Sequence, residues 1–357
     1  MTLDSAFILR LLYALAVAAG ISCLVTPLVK LLARKVGAMD IPKDNRRMHS
    51  KPIPRMGGLG IFLGFLVSFL IFGDLNTELR GILIGAIIIV ILGIVDDIKA
   101  LPALPKFLVQ IIAASVVACH GCRIENVMGW HVPQWLSYCA TVVWIVMLTN
   151  AVNFIDGLDG LAAGVSAISA GSMLVVALML YPEPNATLSA LILAAIFGGC
   201  IGFIPYNFNP ASIFMGDTGS TFLGFMLASV SIFGLFKTYA VISFAVPFVV
   251  LGLPLFDICF AVIRRLAKGQ SPMHADRGHV HHRLIDMGFS QKQAVIISYM
   301  ITVILGICAV VLTDKGEIQA LIFFVALVLV GIVGLQLFFI KNHHNKHEEE
   351  NKNDEED

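Results

Sequence analysis

Between Gly81 and Val95 every residue is Gly, Ala, Val, Leu or Ile, and the run stops at two adjacent aspartates, Asp96 and Asp97. Runs of this kind recur. Residues 7–32, 57–73, 79–95, 104–120, 134–152, 158–180, 186–204, 218–236, 239–263, 292–312 and 318–340 are each dominated by apolar side chains. They are continuous, not alternating, so they read as helices and exclude a membrane β-barrel. In hydrocarbon each backbone polar group needs an internal partner, which helices supply. The pattern predicts an all-α, polytopic integral membrane protein with about eleven transmembrane helices. Composition agrees: only 13% of residues are charged, against roughly a quarter in soluble domains.

The first run, from Phe7 to Leu32, is too long for a signal peptide and shows no small-residue cleavage site before the basic loop, so it reads as a span. Residues 1–340 read as one integral domain, and no internal repeat is visible. Residues 341–357 are polar and acidic and read as a disordered tail. Basic residues orient the chain. Seven lie between Arg34 and Arg55 and six between Arg264 and Lys292; with Lys99 and Lys106 that side holds fifteen, and the opposite side only four. Basic loops stay cytoplasmic, so the N-terminus is expected outside and, after eleven spans, the C-terminus inside.

Five unusual segments then fall on the cytoplasmic side: "KPIPRMGG", "VDDIKALPALPK", "NFIDGLDG", "YNFNPASIFMGDTGS" and "HADRGHVHHR". The run from Gly81 to Val95 has 15 residues. At about 1.5 Å each it falls short of a hydrocarbon core of about 30 Å. Asp96 and Asp97 therefore sit at or just below the surface. A helix C-terminus disfavours anions, and adjacent carboxylates repel. A divalent cation or a cationic substrate group would resolve the conflict; the plain alternative is a marker of helix exit. Asn153, Asp156 and Asp159 recur every three residues and share one face if helical. Gly157 and Gly160 beside them let a ligand approach closely. Asp217 sits between glycines before an apolar run, as a metal ligand or as a simple N-cap. Phe214 reads equally as a base-stacking ring or as core. Asp257, deep in the ninth run, either faces the site or pairs with Arg264 or Arg265.

In the last loop, Arg277, His279, His281, His282 and Arg283 mix histidine with arginine. Zinc spacing is missing and the arginines would repel a cation, so a pyrophosphate is the better fit; a plain basic loop is the alternative. Lys51 and Arg55 are explained by topology, but the Pro and Gly framing around them suggests a shaped anion site. Cys119 and Cys122 form a lone CxxC, read as incidental or as a surface disulfide.

Jointly these motifs resemble the polyprenyl-phosphate N-acetylhexosamine-1-phosphate transferase superfamily, of the glycosyltransferase 4 type, over nearly the whole chain. The pattern His279, His281, His282, Arg283 looks like the GlcNAc-1-phosphate branch; the phospho-MurNAc-pentapeptide transferase branch of peptidoglycan synthesis is the alternative. The resemblance implies transfer of GlcNAc-1-phosphate from UDP-GlcNAc to undecaprenyl phosphate in the bacterial plasma membrane. This would be the first membrane step of a cell-envelope glycopolymer such as teichoic acid or O-antigen. It further implies Mg2+, with Mn2+ as a substitute, held by Asp217 and Asp97. Asp96, Asp97, Asp156 and Asp217 would be catalytic. Asn153, Asp159, Asn207, Phe214, Arg277, His279, His281, His282, Arg283 and, as a weaker match, Lys51 would bind substrate. No nucleic-acid partner is implied, and a homodimer is compatible with the reading. A secondary transporter is the alternative of a different class; it would place its polar groups near the midplane.

Overall fold

The computed structural model describes residues 4–42, 51–127, 130–235, 242–267 and 280–315. In chain order the elements are α1 (Ser5–Val36), β1 (Met39–Asp40), β2 (Ile53–Pro54), α2 (Gly58–Phe72), α3 (Thr77–Ile98) and α4 (Ala103–Cys119). There follow β3 (Asn126–Val127), β4 (Trp130–His131), α5 (Gln134–Ile155), α6 (Leu161–Met179), α7 (Pro184–Asn207) and α8 (Gly216–Val230). After α8 come α9 (Ile242–Val250), α10 (Gly252–Ala267), α11 (Val280–Asp286) and α12 (Gln291–Lys315). Among the described residues, six helices are long and apolar enough to cross a membrane: α1, α3, α5, α6, α7 and most of α12. Helices α2, α4 and part of α10 are apolar but shorter. Leu24 and Leu28 on α1 are 75% and 63% exposed; in this multi-pass membrane protein such a face is a lipid contact. The run expected at 318–340 and the tail 341–357 lie outside the described residues.

Water does not drive helices together inside lipid, so close backbone contact and polar links must. Gly60 and Gly64 of α2 lie against Thr26 and Ala18 of α1, and Gly198 and Gly202 of α7 against Leu15 and Ala19 of α1, leaving no room for a Cβ. The Ser22 hydroxyl donates to the Gly199 carbonyl at 2.8 Å, and Ser68 to Ala14 at 2.6 Å. Prolines inside helices strand a carbonyl four residues back, and neighbours cover it. Pro27 strands Cys23, whose oxygen accepts from the Tyr206 hydroxyl at 3.1 Å.

The run 239–263, expected to be one span, is two helices meeting at Leu251. Pro254 is the cause: it has no N–H for the Val250 carbonyl, which instead accepts from the Ser169 hydroxyl at 3.4 Å. The CxxC carries no disulfide. Cys119 and Cys122 are not bonded to each other; the first is exposed and the second is buried, its Sγ 3.7 Å from the Ser229 carbonyl.

Helix α8 runs through the centre, packed by α3, α5 and α2. All of its residues are buried except Asp217. A central helix that withholds one carboxylate from burial points to where the chemistry lies.

Candidate active site

The C-terminal turn of α3 meets the N-terminal turn of α8, and this junction resolves the puzzle of two acids at a helix C-terminus. Asp97 Oδ1 accepts from the Asp217 N–H at 3.0 Å. Its Oδ2 accepts from the Thr218 N–H at 3.1 Å and the Thr218 hydroxyl at 2.7 Å. Asp97 thus caps a neighbouring helix through space, and the positive end of α8 offsets the charge that α3 repels. Gly216 adopts φ 71 with Asp97 packed where a Cβ would be, so no larger residue fits. Gly93 lets α3 approach Thr218, and Gly58 brings the start of α2 into backbone contact with Gly219.

Two cations enter this junction. Arg55 follows β2, and the strand holds it in place: the Arg55 N–H donates to Ala38, Phe214 N–H to Pro54, and Gly57 N–H to Phe214, each at 2.8–2.9 Å. The next residue, Met56, is buried and takes the left-handed φ of 77. A non-glycine residue there costs about 1–3 kcal/mol, a strain concentrated at functional sites. The turn sends Met56 inward and Arg55 to the acids: Nε lies 3.4 Å from Asp97 Oδ1, and Nη2 3.6 Å from Asp217 Oδ1. Burial disfavours the Arg55 charge, but Asp97, Asp217, Asp40 and Asp96 outweigh it and hold the guanidinium above its ordinary range. Lys106, in the first turn of α4, bridges the other side. Its Nζ donates to Asp217 Oδ2 at 2.8 Å and to Asp96 Oδ2 at 3.1 Å. Asp96 Oδ1 accepts from the Leu101 N–H at 2.7 Å.

The second acidic group caps the end of α5. Asn153 donates to the Ser220 hydroxyl of α8 at 2.8 Å, and Ser220 donates to Gly216 at 3.1 Å. Asp159 Oδ2 accepts from the Ala211 N–H at 2.9 Å and from Asn209 at 3.0 Å, which fastens the α5–α6 turn to the loop before α8. Asn207 does the same from the other direction, accepting from Gly160 N–H and donating to Ile213, both at 3.1 Å. Asp156, half-buried, accepts no hydrogen bond among the described residues. Burial, then the nearby Asp217 carboxylate, push its carboxyl up to about 8, with Asp97 and Asp159 adding to the rise and Arg55 opposing it. Phe214 is half-buried in the loop that carries Asp217.

The remaining expected residues divide. Lys51 is exposed. His281, His282 and Arg283 lie on α11, and Arg283 stacks over Phe260 at 4.7 Å. Arg277 and His279 lie outside the described residues. Asp257, on α10, accepts at Oδ1 from the Val280 N–H at 2.8 Å.

Asp97, expected as a metal ligand, has both oxygens committed to α8 and Arg55, and its side chain is fully buried. Asp217 and Asp96 instead share one cation already, the Lys106 ammonium. Among the described residues no three His, Cys, Asp or Glu side chains form a complete metal cage. Magnesium usually takes one or two carboxylates and completes its shell with water and substrate phosphate, so the pair that already shares the Lys106 ammonium, Asp96 and Asp217, would be able to hold it.

Fold and site define a polytopic membrane enzyme with its charged centre at a junction of helix ends. Comparison with known proteins specifies the class. The glycosyl transferase family 4 profile matches residues 79–235. The chain is 39% identical over 332 residues to a probable undecaprenyl-phosphate N-acetylglucosaminyl 1-phosphate transferase of Bacillus subtilis, covering 91% of each chain. It is 34% identical over 351 residues to a decaprenyl-phosphate N-acetylglucosaminephosphotransferase of Mycolicibacterium smegmatis, covering 89% of this chain and 86% of that one. It is 29% identical over 315 residues to an undecaprenyl-phosphate alpha-N-acetylglucosaminyl 1-phosphate transferase of Yersinia pestis, covering 84% and 85%. The chain belongs to glycosyl transferase family 4, within the polyprenyl-phosphate N-acetylhexosamine-1-phosphate transferase superfamily.

Proposed function

We propose that this protein transfers GlcNAc-1-phosphate from UDP-GlcNAc to undecaprenyl phosphate, releasing UMP and leaving undecaprenyl-pyrophosphoryl-GlcNAc in the bilayer. The observation that carries this reading is the meeting of Asp96, Asp97 and Asp217 with Arg55 and Lys106, from four separate segments, at one junction. The names of the relatives supply the substrates, and the relative at 39% identity favours the undecaprenyl over the decaprenyl acceptor. In our reading residues 1–340 form one integral domain of eleven spans, N-terminus outside, with the site at the cytoplasmic edge. There a soluble nucleotide and a lipid phosphate can both arrive. A homodimer is compatible with this arrangement.

Phosphoryl transfer needs positioning and charge neutralisation more than covalent help. Asp217 and Asp96 would hold magnesium, or manganese in its place, and the ion would neutralise charge on the donor pyrophosphate. Lys106 and Arg55 then hold phosphate oxygens, and Arg55 suits bidentate contact. Asn153, Asp156 and Asp159, with Phe214, would bind the nucleotide, and His279, His281, His282 and Arg283, with Arg277 and Lys51, would bind the sugar pyrophosphate. A phosphate monoester has its second pKa near about 6, so the acceptor is mostly dianionic at neutral pH. Asp96 therefore positions the attacking oxygen and need not take a proton. Attack on the sugar-bearing phosphorus forms one P–O bond as the bond to UMP breaks, in one step.

Purified protein with UDP-GlcNAc, undecaprenyl phosphate and magnesium should release UMP and yield the GlcNAc-pyrophosphoryl lipid by mass. Product only with UDP-MurNAc-pentapeptide would overturn the sugar assignment. Solute flux in proteoliposomes without UMP release would overturn the enzyme reading. UMP release without lipid acceptor would replace one-step transfer by a covalent intermediate.

A further inference from the structure

One buried carboxylate takes no part in the junction above. Asp257 lies on α10, 3% exposed, in a stretch otherwise apolar from Gly252 to Ile263. An acid in such a place is costly and usually has a purpose. Its Oδ1 accepts the Val280 N–H at 2.8 Å, the first amide of α11. Three residues on, Phe260 receives the Arg283 guanidinium at 4.7 Å from its ring centre. Positions three apart on a helix are neighbours, so one stripe of α10 holds α11 at both its first residue and its fourth. The same helix is tied to α5 by Arg265, 2% exposed, with its guanidinium 5.8 Å from the Phe154 ring. Asp257 and Val280 also share a small cavity with Ile155 and Leu161, which bracket the Asp156–Gly160 turn.

From this geometry we infer that Asp257 is a positioning residue: it pins α11, and with it His281, His282 and Arg283, beside the α5–α6 turn. Asp257 acts on the donor side through α11, without touching substrate. The inference rests on the transferase reading for its kinetic half and on α10–α11 contacts for its structural half. Removing the pin should leave the acidic junction of α3 and α8 intact and loosen the donor side alone.

The test compares wild type, Asp257→Ala and Asp257→Asn. Hydrogen exchange is followed across 280–286, and steady-state kinetics are measured with each substrate varied in turn. In Asp257→Ala the Val280 amide should lose protection while α12 keeps its own. KM for UDP-GlcNAc should rise roughly tenfold, the size of a lost hydrogen bond to a charged group, with KM for the lipid within about twofold. Asp257→Asn keeps an acceptor oxygen and should restore most of both. Unchanged protection at Val280, or both KM values rising alike together with a fall in kcat, would overturn the inference. Should Asp257→Ala not fold, Phe260→Leu removes the second anchor on a half-exposed ring. It should raise KM for UDP-GlcNAc in the same direction, and an unchanged value would count against the pin. If wild type makes no UMP, the transferase reading fails, and the exchange data still decide whether Asp257 seats α11.

Discussion

The two aspartate pairs look alike in sequence and differ in the folded protein. Asp96–Asp97 closes α3, and Asp156…Asp159 closes α5; each stands at the same end of the bundle, after a long apolar helix. In each pair one member ties down α8 or the loop before it, and the other does not. Asp97 caps α8 and Asp159 ties the α5–α6 turn to the loop before α8. Asp96 shares Lys106 with Asp217, and Asp156 accepts no bond among the described residues. The difference lies in compensation. The first pair is balanced by two cations and a helix terminus, whereas the second faces mostly other acids. A carboxylate is affordable in this membrane protein either because it holds a helix or because a ligand will neutralise it.

Breaking the member of the first pair that ties down α8 should have the largest effect. Asp97→Ala strands the amides of Asp217 and Thr218 and leaves Arg55 short of a partner, at a cost of about 3–5 kcal/mol. Thermal unfolding in detergent should show a large drop, with little folded protein recovered. The third acid of the same junction should behave in the opposite way. Asp217→Asn should keep its unfolding temperature and lose at least about a hundredfold in turnover, corresponding to about 2.7–4 kcal/mol in the transition state. UMP release set beside a melting curve checks the split; equal losses of stability in both variants would erase the distinction between the two acids.

Smaller effects sharpen the comparison at the second pair. Asp159→Ala leaves the Ala211 amide and Asn209 without their acceptor, a cost of about 1–3 kcal/mol. It should appear first as a modest fall in melting temperature. Asp156→Asn should stabilise the metal-free protein. The Asp156 carboxyl rises from 3.8 to about 8 on folding. Between those values the unfolded chain has lost its proton and the folded one keeps it. The native state therefore loses stability as pH climbs through that window and is unaffected below it. The gain from Asp156→Asn in melting temperature should accordingly be absent near pH 4, grow towards pH 8 and level off above. A gain independent of pH would show that Asp156 is not held protonated.

Much of this was legible in the sequence, and the exceptions share a cause. Apolar runs placed most helices because hydrophobicity is a local signal. The break at Leu251 escaped because Pro254 reads as tolerable until its stranded carbonyl is traced to Ser169. Asp96, Asp97, Asp156 and Asp217 stood out because an acid amid apolar residues is expensive. Lys106 did not, since one lysine at the start of an apolar helix is fully explained by topology. Arg55 shared that explanation, and its role depends on the turn at Met56. That Asp97 caps α8 is not legible in the sequence, because that helix starts 119 residues further on and no spacing rule connects them. For the same reason the sequence leaves Asp257 between two readings, neither of which involves Val280.

The contact of Gly58 with Gly219 has a consequence for how far this centre can drift over time. Arg55 rides on the segment entering α2, and Asp217 on the first turn of α8, so the gap between opposite charges is set where those two chains touch with hydrogen atoms only. A single methyl group at either position would wedge the two helices apart and carry the guanidinium away from its acids. The calibration of the site thus resides in two residues that bear no functional group at all.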